Sequence, residues 1–234
     1  SMQRLIHKWK TVLLLLLVAG LIVASFNRMV GGFNEYWLGK HISYWNEQEG
    51  TPTPDDVIKM DRLYQTAMNH TPHAPEVLQL GGHLSEWQAY IAEDDTEIKK
   101  QYFSEALSRY RASIKERTTW PYAWFDLAKA KVRASEVDEE FQTALITSIR
   151  LGPNERTLQI GVVQLGLLTW SRLDEKTKST VLDVVNVILK RSPKNLYQAA
   201  ASYDKVELLC SLVRGNTWLD AKCSIDNELM KGNS

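Results

Sequence analysis

The sequence is poor in cysteine, proline and glycine and carries no net charge, and each shortage excludes a class of protein. Two cysteines among 234 residues cannot form a disulfide scaffold or, on their own, a four-ligand zinc site. Seven prolines and twelve glycines are too few for a fibrous or linker-like chain. Because 28 basic residues balance 28 acidic ones, the chain lacks the net positive field that nucleic-acid-binding proteins use. The composition is that of an ordinary folded protein with one domain or two small ones.

The sequence also lacks the motifs of common catalytic and metal sites. No glycine-rich phosphate loop follows a strand-like segment, and no serine lies in a nucleophile elbow. His70, His73 and His83 could suggest a metal, but no cysteine or carboxylate completes a ligand set, which favours loop histidines. The acidic runs 94–95 and 138–140 lie where helix ends are expected, which favours capping over paired acid catalysts. We therefore predict a protein that is not an enzyme and that holds no cofactor or metal.

One long hydrophobic run stands near the N-terminus. Residues 11–26 contain no charged side chain, and Lys10 and Arg28 lie close to the two ends. A helix over this run is about 24 Å long, and the two basic side chains can snorkel to the surfaces of a hydrocarbon core of about 30 Å. We predict a transmembrane helix over residues 11–27. A cleaved secretory signal is the alternative, but bulky residues follow its small-residue motif, Val23–Ser25, and favour an uncleaved anchor.

The basic residues around this run predict its orientation. The N-terminal flank carries Arg4, Lys8 and Lys10 without an acid, whereas basic and acidic residues are mixed after Arg28. By the positive-inside rule, residues 1–10 stay in the cytoplasm and everything after Arg28 is exported. We therefore predict a single-pass protein that contacts the lipid bilayer through its anchor.

Aromatic residues recur every three to four positions in the segment 28–54, which we predict to be a juxtamembrane segment and linker. They form either an aromatic belt against the lipid surface or a stripe that packs on the exported domain, and the pattern does not decide between the two. The residues are Phe33, Tyr36, Trp37, Tyr44 and Trp45.

Hydrophobic residues follow a helical period from residue 55 to about residue 215, and a C-terminal helix and tail fill 216–234. Prolines divide these helices into pairs, and the stretch 120–153 has the 34-residue length of a tetratricopeptide repeat. We predict an all-α fold with a single N-terminal transmembrane helix followed by a degenerate tetratricopeptide-like helical-repeat solenoid. An irregular helical bundle is the alternative. Within the stretch 120–153, we expect Ser135 to cap the second helix.

Helical-repeat solenoids usually bind partners on a concave surface and carry out no chemistry. Polar residues interrupt the apolar pattern on the predicted first helix of successive pairs, where such a surface is expected. We predict that a partner protein binds through Asp126, Lys129, Arg133, Gln159 and Gln164.

Two further groups of residues allow two interpretations each. Cys210 and Cys223 can pair in an oxidising compartment if the domain is exported, or they are buried free thiols. Trp87, Trp124 and Trp170 recur on first helices, where helix packing is favoured and stacking on sugar rings is the alternative.

One group of segments is more specific than a generic repeat. It resembles the VpsP-like family of polysaccharide-biosynthesis proteins, and the resemblance extends from the anchor to about Cys210. The segments are Trp120–Trp124 (WPYAW), Asp126–Ala128 (DLA), Val137–Phe141 (VDEEF), Leu151–Pro153 (LGP) and Gly166–Trp170 (GLLTW).

This resemblance implies a bacterial inner-membrane protein with a tetratricopeptide-like periplasmic domain that is associated with exopolysaccharide production. No catalytic residue carries over, so we expect a scaffold or adaptor for exopolysaccharide biosynthesis or export, with envelope and polysaccharide-assembly proteins as partners. Lys131 and Thr147 stand where a regular repeat prefers an aromatic residue and alanine, which predicts an irregular superhelix. The alternatives are an adaptor of cytochrome maturation or cell division, and a glycan-binding or carbohydrate-active protein.

Overall fold

The computed structural model describes residues 2–47, 51–92 and 96–232, and every regular element within these ranges is a helix. The predicted all-α fold with one long apolar N-terminal helix is therefore confirmed. The acidic pair at 94–95 lies outside the described residues. The helices are α1 (Met2–Glu47), α2 (Pro54–His70), α3 (Pro75–Ile91), α4 (Thr96–Glu116), α5 (Pro121–Arg133), α6 (Glu139–Leu151), α7 (Arg156–Thr169), α8 (Glu175–Arg191), α9 (Pro193–Ala201), α10 (Val206–Leu212) and α11 (Thr217–Gly232).

Helix α1 is unbroken over 46 residues and has two different parts. The apolar stretch 11–26 is exposed along its whole length, and α1 is long and apolar enough to cross a membrane. Beyond Arg28 the same helix enters the folded body, because no proline interrupts it and Leu38, Ile42 and Trp45 recur on one face. Most of the segment predicted as a linker is therefore helix.

The chain forms two compact units, Ser1–Thr118 and Thr119–Ser234. The structure thus places the boundaries differently from the single helical domain predicted over 55–215. The first unit begins earlier because the C-terminal part of α1 supplies buried residues to it. The second unit ends later because α11 packs on α9 and α10 and belongs to the same body.

The first unit consists of α1 to α4. Its core is an apolar cluster formed where α1, α2 and α3 pack against one another; the buried members are Leu38, Ile42, Trp45, Val57, Met60, Tyr64, Ala67, Val77 and Leu84. Helix α2 begins at a capping box, in which Thr53 accepts from the Asp56 N–H and the Asp56 carboxylate accepts from the Thr53 N–H.

Two adjacent glycines let α3 approach its neighbours closely. A Cβ at Gly81 would overlap the ring of Tyr64 on α2, and a Cβ at Gly82 would overlap the ring of Tyr110 on α4. Tyr110 is fully buried, and its hydroxyl donates to Glu86 Oε2 at 2.6 Å. The glycines therefore make room for two aromatic rings, one from α2 and one from α4.

The second unit begins with an antiparallel hairpin of α5 and α6. Ser135 does not cap α6 as expected; it has a left-handed φ of 63° just after α5, and Asp138 is the cap, accepting from the Phe141 N–H at 3.0 Å. A residue in that conformation reverses the chain after a helix end, so the next helix starts three residues later than the prediction.

Lys131 lies at the centre of this hairpin. It is 1% exposed, and its Nζ lies 2.8 Å from Glu136 Oε2, 2.9 Å from Asp138 Oδ2 and 2.8 Å from Glu140 Oε2. Burial alone would lower the pKa of Lys131, but hydrogen bonds to the three carboxylates outweigh burial and raise the pKa well above its usual value. Lys131, which stands where a regular repeat prefers an aromatic residue, is thus the centre of an ion cluster.

Helices α7 to α11 complete the second unit. Gly166 lies against Val181, which brings α7 close to α8. A disulfide joins Cys210 on α10 to Cys223 on α11, with the two Cα atoms 5.8 Å apart. The cross-link ties the C-terminal helix to the body of the unit.

Candidate functional site

The five residues predicted to bind a partner do not share one surface. Asp126 and Gln159 are buried, and Gln159 Nε2 donates to the Pro153 carbonyl at 2.7 Å. Arg133 is exposed at the last position of α5. Only Lys129 and Gln164 lie together, in the wall of one pocket within the second unit.

This pocket lies between α5, α7 and the turn that follows α9, and has a volume of about 420 Å³. That volume falls in the range of sites that take small ligands or protruding side chains. Its lining is mostly apolar and consists of Phe125, Lys129, Arg156, Thr157, Ile160, Gly161, Gln164, Leu165 and Tyr203.

Helical spacing explains how α5 and α7 form the wall. Phe125 and Lys129 are four residues apart on α5, so they project from the same face. Thr157, Gly161 and Leu165 repeat the same spacing on α7. A Cβ at Gly161 would overlap the Phe125 ring, so glycine there sets how closely the two helices approach.

A turn after α9 supplies the third side of the pocket. Asp204 has a left-handed φ of 54°, and the Lys205 N–H donates to the Ala200 carbonyl at 2.9 Å, which closes the turn around Tyr203. Gln164 Nε2 donates to Ser202 Oγ at 2.9 Å and ties this turn to α7. Gln164 therefore holds the wall together, and the Tyr203 ring stays partly exposed at its edge.

The pocket contains two cations in different electrostatic states. Lys129 Nζ lies 3.3 Å from the buried Asp126 carboxylate, so much of its charge is already neutralised. Arg156 is exposed and makes no ion pair with any residue that the structure describes. The adjacent Glu155 carboxylate forms no ion pair with Arg156 and accepts a hydrogen bond from the Tyr122 hydroxyl at 3.0 Å. Arg156 is thus a cation available to a ligand.

The sequence prediction missed Phe125, Arg156 and Tyr203. Gln159 does not line the pocket, because its side chain is buried and donates to the Pro153 carbonyl. The spacing of Phe125 and Lys129 was a usable signal, since both flank the buried Asp126 on one helix. Tyr203 had no local signal, because a turn about 40 residues further along the chain brings it to the pocket.

The three tryptophans considered for sugar stacking lie elsewhere. Trp87 is half-buried, packs against Trp45 at 6.0 Å between ring centroids, and donates from Nε1 to Asn46 Oδ1 at 3.1 Å. Trp170 lies under the ammonium of Lys178 at 5.8 Å, and Trp124 is half-buried. None of them lines the pocket, so the pocket's aromatic character comes from Phe125 and Tyr203.

The pocket presents one exposed guanidinium beside a mostly apolar wall. An open, mostly apolar wall with one unpaired guanidinium suits a carboxylate that lies beside an apolar group. Within the described ranges, no group of three or more His, Cys, Asp or Glu residues could hold a metal ion. Comparisons with protein-family models, with curated proteins and with solved structures find no match to this chain.

Proposed function

We propose that the protein is a membrane-anchored, non-catalytic adaptor that binds a partner protein in the pocket between α5 and α7, in the service of bacterial exopolysaccharide biosynthesis or export. The observation that carries this proposal is the unpaired Arg156 at the edge of an apolar pocket of about 420 Å³. The partner segment contributes an acidic side chain to Arg156 and an adjacent apolar side chain to the pocket.

The rigidity of the pocket supports a role in protein binding. Eight of its nine lining residues come from two helices, and Gln164 fixes the turn that carries the ninth. A preformed site loses little conformational entropy when a segment docks in it, so a few contacts suffice for useful affinity. The buried Asp126 holds Lys129 in place and leaves Arg156 as the cation for the partner.

The membrane setting is supported by α1. Its exposed apolar stretch has the length and composition of a spanning helix. The basic N-terminal flank supports an N-terminus in the cytoplasm and a periplasmic body. The pairing of Cys210 with Cys223 agrees with an oxidising compartment, where disulfides persist.

The polysaccharide setting is supported by the resemblance of the WPYAW and VDEEF segments to the VpsP-like family. In the structure these segments begin α5 and lead into α6, which together form one helix hairpin within the stretch 120–153. A hairpin of that length supports a tetratricopeptide-like arrangement of this part of the chain.

The proposal is tested in bacterial cells with a photo-crosslinking amino acid at Thr157, which is exposed in the pocket wall. We expect a crosslink to a discrete envelope protein. Arg156→Glu should reduce that crosslink at least tenfold and lower the amount of secreted polysaccharide, because the reversed charge repels the acidic partner segment. Lys190→Glu is the matched control, since it reverses an exposed lysine on α8 away from the pocket.

The results separate the parts of the proposal. If Arg156→Glu leaves both the crosslink and the polysaccharide unchanged, the pocket is not the docking site. If the crosslink is lost while polysaccharide output stays normal, docking stands and the adaptor serves another envelope assembly.

A further inference from the structure

Contacts within the first unit fix the heights of its helices along α1. At one end, the Trp87 Nε1 donates to Asn46 Oδ1 at 3.1 Å and places the C-terminal part of α3 beside the end of α1. At the other end, His70 Nδ1 and Asn27 Oδ1 are 2.8 Å apart and place the end of α2 beside the middle of α1. These two contacts are about 28 Å apart along the axis of α1, measured from Asn27 to Asn46. They fix the positions of α2 and α3 along α1.

The turn between α2 and α3 lies at the level where the apolar stretch of α1 ends. The His70 ring meets the Phe26 ring edge-on, with centroids 6.5 Å apart, and Phe26 is the last residue of that stretch. A Cβ at Gly31 would lie 2.6 Å from Thr71 Cγ2, so the turn is pressed against α1. The turn thus sits directly beside the residues that leave the hydrocarbon core if α1 spans a bilayer.

The end of α4 is fixed to the same turn. His73 Nδ1 lies 2.9 Å from Glu116 Oε1, and Arg117 donates to Glu76 Oε1 at 3.0 Å. His73 itself stays 80% exposed on its side chain, and Pro72 is exposed beside it. This end of the unit therefore presents polar side chains outward around the base of α1.

The aromatic residues that recur along α1 do not all lie on one surface. Trp45 is buried in the core, whereas Phe33, Tyr36, Trp37 and Tyr44 are exposed, so the row divides between core and surface. Along α1 the exposed part extends from about 9 Å to about 26 Å beyond Asn27. Because α1 is one unbroken helix, this part cannot lie flat on a bilayer that residues 11–26 cross.

We infer that the end of α2 and the turn that follows it, residues 69–74, rest in the headgroup layer of the bilayer and hold α1 upright. The inference depends on the membrane anchoring proposed above. The partner is the lipid surface itself: His70, Thr71 and His73 meet headgroups and interfacial water, and the opposite end of the unit stands clear of the membrane. The contact limits the tilt of α1, because a tilt of α1 toward the turn would push the turn into the lipid.

Fluorescence quenching in lipid vesicles tests this placement. The full chain is prepared as His73→Cys and as Tyr44→Cys, each labelled with a small thiol-reactive fluorophore and reconstituted with lipids that carry a nitroxide on the headgroup. Both positions are strongly exposed, so the labels fit without repacking the core. We expect at least threefold stronger quenching at position 73 than at position 44, and Pro72→Cys provides a second label in the turn.

The controls separate this inference from the anchoring on which it depends. The unsubstituted chain, treated with the fluorophore in parallel, measures any labelling of the paired cysteines. Extraction of the vesicles at high pH then shows whether the chain is inserted. A chain that washes off overturns both proposals. A chain that is retained but is quenched equally at both positions, or more strongly at position 44, overturns the placement of the turn alone.

Discussion

At the residue scale, the buried ammonium of Lys131 organises the turn between α5 and α6. It brings together three carboxylates that are themselves half-exposed and would otherwise repel one another. A buried charge is stable only when it is paired and hydrogen-bonded, and here each N–H of the ammonium has its own carboxylate. The cluster therefore couples the end of one helix to the start of the next.

Replacing Lys131 by methionine tests the energetic role of the cluster. Methionine fills a similar volume but leaves the three carboxylates without a counter-charge, so we expect a loss of about 2 kcal/mol, reduced by their partial hydration. Urea unfolding of the full chain in detergent, followed by circular dichroism, measures it. Lys190→Met on exposed α8 should change the free energy of unfolding by less than about 0.5 kcal/mol. Equal stability of both variants would contradict the prediction.

Asp138 should give part of this stability a pH dependence. Burial alone would raise the pKa of Asp138, but the Phe141 N–H and the Lys131 ammonium outweigh burial and lower the pKa below its usual 3.8. A carboxyl group with a lowered folded-state pKa stabilises the fold above its unfolded-state pKa, and that contribution is lost as the pH falls through the folded value.

The variant Asp138→Asn isolates this effect, because asparagine keeps the helix cap and removes the charge. We expect the wild type to be more stable than the variant by about 1 kcal/mol at pH 7. The difference should shrink as the pH falls below about 4. Thermal unfolding of both chains between pH 7 and pH 3 measures it, and a difference that stays constant over that range would show that the charge of Asp138 contributes nothing.

At the element scale, the sequence predicted the positions of helices better than their buried faces. The hairpin of α5 and α6 lies within the stretch 120–153, whose length and proline boundaries predicted a helix pair. The face of α7 was harder, since apolar residues occupy nearly all of its circumference, and Gln159 was placed outward although it is buried. The turn at Ser135 failed for another reason: the sequence does not show that a serine adopts a left-handed φ.

For the candidate site, too, the sequence predicted the helices better than the side chains that face the pocket. Two of the five predicted residues, Lys129 and Gln164, lie in the pocket because the choice of helices was right. The pocket itself depends on the packing distance between α5 and α7 and on a turn far along the chain. Neither the packing distance nor the position of that turn can be predicted from a local sequence pattern.

The packing of α3 against α4 gives a prediction for Gly82. In Gly82→Ala the new Cβ overlaps the ring of Tyr110, which cannot move because it is buried and hydrogen-bonded to Glu86. Overpacking lowers the free energy of unfolding by about 1–3 kcal/mol, and the better helix propensity of alanine offsets about 1 kcal/mol of that loss. We expect a net loss of about 1 kcal/mol in urea unfolding.

Gly32→Ala is the matched control in α1. No atom lies within 4 Å of a Cβ at that position, so only the propensity term remains. We expect this variant to unfold at a slightly higher urea concentration than the wild type. Two glycine variants that shift the midpoint in the same direction would contradict the packing argument.

At the scale of the whole molecule, α1 belongs to two environments at once. Its apolar stretch is exposed, whereas its later turns place three large side chains in the core of the first unit. Fully burying such a side chain contributes about 1.5–3 kcal/mol, so the three together contribute roughly 6 kcal/mol. That is comparable to the net stability of a small domain.

Two truncations test this dependence on α1. A chain that begins at Met29 keeps Leu38, Ile42 and Trp45, and we expect it to be monomeric and to melt cooperatively. A chain that begins at Thr51 lacks them and exposes the apolar face of α2, so we expect aggregation and loss of cooperative unfolding. Light scattering and circular dichroism distinguish the two outcomes. Cooperative melting of both chains at the same temperature would mean that the later part of α1 adds nothing to the core.

The unbroken α1 also sets the azimuth of the first unit around the anchor. One residue inserted between Arg28 and Gly31 would swing the unit by about 100° and lift it by about 1.5 Å, and two would turn it to nearly the opposite side. Seven residues complete almost two revolutions, with only about 20° left over. For an adaptor whose partner stands in the same bilayer, lengthening the anchor in steps of seven keeps the two facing each other, and single-residue steps do not.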